Sequence, residues 1–136
     1  MSVKGLRIFV VEDEAMIRMM VVDMLEELGH TIAAEAGHLD KAIEFARSAD
    51  FDLAILDVNL SGKMITPAAE LIKARGVPLI FATGYGAAGV PEAFKGCPAL
   101  QNPFEFKALE LAINSIRLSP SLQMPSHEDR DCKGGH

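Results

Sequence analysis

Three carboxylates and a hydroxyl stand where apolar runs stop. Glu12 and Asp13 follow Ile8-Phe9-Val10-Val11, Asp57 closes Leu53-Ala54-Ile55-Leu56, and Thr83 and Gly84 follow Leu79-Ile80-Phe81-Ala82. Runs that are apolar throughout fit strands covered on both faces of a parallel sheet. In open α/β sheets ligands bind outside the carboxyl ends of the strands, which is where these side chains would lie. Acids on adjacent strand ends repel one another at neutral pH unless a positive charge lies between them. Hard carboxylate oxygens with room for water suit Mg2+. A hydroxyl and a glycine amide that can approach a ligand closely suit a tetrahedral anion. Asp57 is then placed to attack phosphorus, and an aspartyl phosphate is the natural product. Glu14 has a simpler account, because an acid at a helix N-terminus gains from the helix dipole. That account does not reach Asp57, which ends a different strand.

The elements that must position these groups are legible from periodicity. Strand-like runs occupy residues 6–11, 31–34, 53–56 and 79–82, with a weak one at 99–100. Between them, Ile17, Val21, Met24, Leu25 and Leu28 recur at helical spacing, with Gly29 as the stop. Ala42, Ile43 and Ala46 mark a second helix, residues 68–75 a third, and Phe106, Leu109, Ile113 and Ile116 the last. This order predicts an α/β fold, a doubly wound (βα)5 flavodoxin-like sandwich around a central five-stranded parallel sheet. The fourth helix is expected to be short or disordered, since residues 84–96 hold four glycines and a proline. Residues 119–136 lack periodicity and are rich in turn formers and charge, so a disordered tail is expected after a domain spanning residues 1–118. His127, Cys132 and His136 in that tail read as solvated coil and not as a metal site.

Composition narrows the functional classes. With 136 residues, 49% of them apolar, the chain can build one core. No apolar run reaches the roughly 20 residues of a membrane span, and the first residues lack a secretory pattern, so no membrane association and a cytoplasmic location are expected. Cys97 and Cys132 have no metal-binding spacing. A net charge of −6 disfavours nucleic acid as a partner.

Glu12-Asp13, Asp57, Thr83 and the Asn102-Pro103-Phe104 triplet together resemble bacterial two-component response-regulator receiver domains, over residues 3–118. Residues 77–85 (VPLIFATGY) and 55–62 (ILDVNLSG) are similar to single-domain regulators with a Phe-Ala-Thr-Gly-Tyr signature. The resemblance implies a role for each position. Asp57 would be the phosphoacceptor, and Asp13, Asp57 and the Asn59 main-chain carbonyl would ligate Mg2+, with Glu12 acting mostly through water. Thr83 would bond a phosphoryl oxygen, and the Asn59 and Gly84 amides would complete the cradle. The donor would be a sensor histidine kinase, a histidine phosphotransfer protein or a small acyl phosphate.

Two positions depart from the family. Asn102 stands where a lysine is usual; its amide can donate a hydrogen bond but brings no charge. Lys107 lies a helical turn too far along to replace that lysine, and Lys63 is the other candidate. Ala99 occupies the place of the usual aromatic switch residue. The glycines beside Thr83 suggest instead that phosphorylation orders residues 84–96, with Tyr85 within that segment. On the first helix, Met19 and Val22 are expected to point outward beside Asp23 and Glu26, as ordinary surface or as a kinase-docking face. The expected function is a stand-alone response regulator, not an enzyme on other substrates, that signals through a downstream effector protein. The alternative is a degenerate receiver that binds partners independently of phosphorylation. A phosphatase reading is weakened by Asn59, where a second catalytic aspartate would be needed.

Overall fold

A computed structural model describes residues 5–84, 89–101 and 104–116. Five strands, β1 (Arg7–Val11), β2 (Thr31–Ala36), β3 (Leu53–Asp57), β6 (Leu79–Thr83) and β7 (Ala99–Gln101), form one parallel sheet in the order β2-β1-β3-β6-β7. A two-stranded hairpin, β4 (Asn59–Leu60) with β5 (Lys63–Met64), projects after β3. The helices are α1 (Ala15–Glu27), α2 (Leu39–Ser48), α3 (Thr66–Ala74) and α4 (Phe106–Asn114).

Alternation along each strand divides the core into two layers. Ile8, Val10, Leu53, Ile55 and Ile80 pack with Val21 and Leu25 of α1 and with Leu109 and Ile113 of α4. Phe9, Val11, Ala54, Leu56 and Phe81 pack on the opposite face with Ala42 and Ala46 of α2 and with Ala68, Ala69 and Ile72 of α3. Both faces are covered, which is why the central strands read as unbroken apolar runs. This is the doubly wound sandwich expected from the β-α rhythm.

Helix ends explain where the chain returns to the sheet. Gly29 has φ 94° and follows the Leu28 cap. His30 N–H donates to Leu25 O at 3.0 Å and Gly29 N–H to Glu26 O at 3.0 Å, a Schellman closure of α1. Gly76, with φ 80°, closes α3 by the same pattern. Helix α3 begins at Thr66, earlier than residue 68, because Pro67 sits in the first turn, where its missing N–H costs nothing.

In the glycine-rich slot, the described residues hold 3-10 structure, including the turn Glu92–Phe94, and no α-helix, in agreement with a truncated fourth helix. Phe94 anchors that turn, fully buried against Phe81 with ring centroids 5.4 Å apart. Strand β2 runs two residues past its expected end. As an edge strand it carries exposed Glu35 before buried Ala36, which hid its continuation. On α1, Met16, Met19 and Met20 are exposed, Met19 as expected, and Val22 is half-buried. Tyr85, Asn102 and the segment 119–136 lie outside the described residues.

Candidate functional site

Strand register brings the acids together. Val11 of β1 pairs with Leu56 of β3, so the next residues, Glu12 and Asp57, emerge side by side at the carboxyl edge. Asp57 pairs in turn with Ala82 of β6, which leaves Thr83, buried, one step further along the same edge. Carboxylate oxygens of Glu12, Asp13 and Asp57 all lie within 4.8 Å of one another.

The hairpin after β3 supplies the rest of the local scaffold. Ser61 and Gly62 have φ 52° and 91°, the two positive values that a two-residue type I′ turn requires. Gly62 N–H donates to Asn59 Oδ1 at 2.7 Å, and Asn59 N–H donates to Asp57 Oδ1 at 3.3 Å. Ile65 N–H donates to Val58 O at 2.8 Å, so by antiparallel alternation the Asn59–Met64 pair is a non-hydrogen-bonded one. The Asn59 carbonyl is thereby left outside the hairpin ladder. At the tip, Ser61 donates to Asp13 Oδ2 twice, from N–H at 3.0 Å and from Oγ at 2.9 Å.

These contacts divide the three acids electrostatically. Burial pushes the Glu12 carboxyl up to about 7, against the Glu14 N–H bond at 3.1 Å, and the Asp57 and Asp13 charges add to the rise. Burial likewise pushes Asp57 up to about 6, with Asp13 adding to it and the Asn59 N–H opposing it. Burial also works against the charge on Asp13, but the two Ser61 bonds, a bond from the Glu12 side chain and Asp13's own N–H together outweigh it and hold that carboxyl below its ordinary range. Crowded acids that resist ionising beside an ionised one form a site that gains from a cation.

Two contributors escaped sequence reasoning. Ser61 was hidden because its bond to Asp13 spans 48 positions; the Ser-Gly pair signalled only a turn. Arg18 donates from Nη1 to the Glu12 carbonyl at 2.6 Å, and a main-chain partner leaves no residue pattern to find. Of the two lysines considered as replacements, Lys107 reaches Glu110 at 3.6 Å and Lys63 is exposed on β5.

Residues 8–99 match the family model for the response regulator receiver domain. The chain belongs to that family. Among receiver structures, the chain is similar to SdrG from Sphingomonas melonis Fr1, at 38% identity and TM-score 0.71 over 85% of this chain and all of that one. The receiver domain of PhyR from Erythrobacter litoralis is similar at 26% identity and TM-score 0.71, over 90% of this chain and 96% of that one. The transcriptional regulatory protein PdtaR of Mycobacterium tuberculosis is 33% identical over 125 residues, 86% of this chain but 61% of that protein's length. A CheY-like receiver from Methylobacillus flagellatus, 17% identical with TM-score 0.72, shares the fold. The acidic cluster in this chain comprises Glu12, Asp13 and Asp57, and among the described residues no helix is long and apolar enough to cross a membrane.

Proposed function

We propose that this receiver accepts a phosphoryl group on Asp57 from a histidine kinase or phosphotransfer protein and signals by binding other proteins. The observation that carries the reading is the convergence of three carboxylates, from two strand ends, to within 4.8 Å beside the buried Thr83. Asp13, Asp57 and the Asn59 carbonyl fit an oxygen-liganded Mg2+, with Glu12 reaching it mostly through water. When bound, the ion supplies positive charge against the carboxylates and the transferring phosphoryl oxygens.

The chain's own residues do the rest. One Asp57 oxygen attacks the phosphorus of a phosphoimidazole; a P–O bond forms, the P–N bond breaks, and the imidazole leaves and takes up a proton. The Asn59 N–H already orients the other Asp57 oxygen. Ser61 helps to keep the Asp13 carboxylate ionised and aims it. The Thr83 hydroxyl and Gly84 amide receive the phosphoryl oxygens, and Asn102 offers its amide where a lysine is usual. A cytoplasmic location fits a kinase partner, and exposed Met16, Met19 and Met20 at the start of α1 fit a docking face beside the acids.

A second reading, partner binding without phosphorylation, is favoured by Asn102 and Ala99 alone. Intact mass separates the two. After incubation with acetyl phosphate and Mg2+, the protein should gain one phosphoryl group, and the metal-free sample and Asp57→Asn should not. No gain by the folded wild type would refute the phosphoacceptor reading for this donor. Asp57→Asn with unchanged effector binding would establish the second.

A further inference from the structure

From the contacts of its guanidinium, we infer that Arg18 is the positioning residue of the acidic site, clamping the peptide plane that carries Asp13. The Glu12 carbonyl and the Asp13 N–H belong to one rigid peptide unit. Glu12 is held on its other side too, where its N–H donates to Ala36 O at 3.0 Å as the last bond between β1 and the end of β2. Past that bond the chain leaves the sheet. The Arg18 Nη1 bond of 2.6 Å to the Glu12 carbonyl then fixes how the following residue departs.

The guanidinium is itself held in place. Nε donates to Glu35 Oε1 on β2 at 3.3 Å, and the side chain is only 23% exposed. The Arg18 main-chain N–H bonds Glu14 O at 2.9 Å as the first i→i−4 bond of α1, so the backbone of Arg18 is fixed in the helix while its side chain reaches back across the β1–α1 loop. Gly37 completes the clamp. A Cβ at that position would fall 2.9 Å from Nη1. Gly37 does not have a positive φ, so its lack of a side chain serves space and not backbone conformation. The β2–α2 loop thus leaves room for one guanidinium, whose planar fork serves a carbonyl and a carboxylate at once.

Arg18 thus acts on a bound ion through the placing of Asp13 and does not touch it. Without the clamp the Glu12–Asp13 peptide can rotate, and Asp13 must be recaptured each time by Ser61. Loss of such supporting contacts typically lowers metal affinity 10–100-fold. The inference rests on the Mg2+ reading of the site.

The test is titration with Mg2+ alone, followed by backbone amide NMR shifts of Asp13 and Ser61, on wild type, Arg18→Ala, Arg18→Lys, Gly37→Ala and Glu35→Gln. Arg18→Ala is expected to bind about tenfold or more weakly. Gly37→Ala, which displaces the guanidinium while leaving it charged, should weaken binding in the same direction. Arg18→Lys, which keeps a charged donor, should recover part of the loss. Glu35→Gln, which removes the charge facing Nε but keeps an oxygen to accept its hydrogen bond, should stay within about threefold of wild type. In the chelator-treated protein the Asp13 amide resonance should already be shifted in Arg18→Ala, which separates positioning from a charge effect on the ion. Wild-type affinity in both Arg18→Ala and Gly37→Ala would overturn the inference and leave the site reading standing. Absence of Mg2+ binding by wild type would overturn both. If Arg18→Ala does not fold, the single methyl of Gly37→Ala decides the matter.

Discussion

Replacing Glu12 with glutamine should stabilise the metal-free receiver near neutral and alkaline pH and leave it unchanged in acid. Glu12 is 5% exposed as a residue, and its carboxyl is raised from 4.5 to about 7, chiefly by burial. An acid raised on folding keeps its proton longer in the folded state. Below 4.5 both states are protonated and nothing is lost. As pH rises from 4.5 to about 7 the unfolded chain ionises first, so stability falls; above about 7 the full cost of a buried charge remains. At about 1.4 kcal/mol per pH unit, that interval is worth about 3 kcal/mol. Glutamine cannot ionise, and its Oε1 can still accept the Glu14 N–H, so the substitution removes the cost without orphaning a donor. Urea unfolding in chelator, at a series of pH values, measures the effect as the difference between the two proteins. Groups away from the edge are common to both and cancel, whereas Asp13 and Asp57 are coupled to Glu12, so the difference reports the acidic group as a whole. The curves should coincide in acid, diverge through the interval and run parallel above it, with Glu12→Gln the more stable. Added Mg2+ should narrow the gap by binding wild type more tightly. Parallel curves throughout, or a wild type more stable than Glu12→Gln in chelator at alkaline pH, would refute the reasoning.

Two further outcomes follow from groups far from the site. Arg75 donates to Ala46 O at 2.7 Å and Ala49 O at 2.6 Å at the C-terminal end of α2, and stacks on Phe51 at 4.8 Å. Arg75→Ala should therefore cost about 2–4 kcal/mol in urea unfolding, and Arg75→Lys, which cannot bridge two carbonyls with a planar fork, should recover less than half; a loss below about 0.5 kcal/mol would show the contacts to be passive. Burial lowers His30 below its ordinary 6.5, and its Nδ1 accepts the Leu6 N–H at 3.1 Å. The unfolded chain takes up this proton first, so the contribution is whole above 6.5 and is lost as pH falls below it. NMR titration of the His30 ring checks this, and a midpoint at or above 6.5 would contradict it.

The receiver scaffold was legible because its physics is local. Four apolar runs, Gly29 and the helical spacing of Val21, Leu25, Leu109 and Ile113 each report a face or an end of one element, and burial on both sheet faces leaves a signal within a few residues. The chemistry was legible for a related reason: acids that terminate apolar strands have no bland explanation, and the sheet order then set Glu12 beside Asp57. The edge strand β2 was undercounted because Glu35 on its exposed side interrupts the apolar run while its main chain still pairs with β1. The hairpin at residues 59–64 was missed because two residues per strand are too few for periodicity to register.

What only the tertiary structure decided is how the acids are held. Ser61 binds Asp13 through a turn whose two left-handed residues bring it across 48 positions, and Arg18 binds a carbonyl that every residue possesses. Gly37 is small because a guanidinium from another element occupies the space its side chain would fill. Residue types and spacing therefore determined which groups reach one edge of the sheet. Their protonation and aim depend on burial and on main-chain contacts between distant segments, quantities that exist only once the chain has folded.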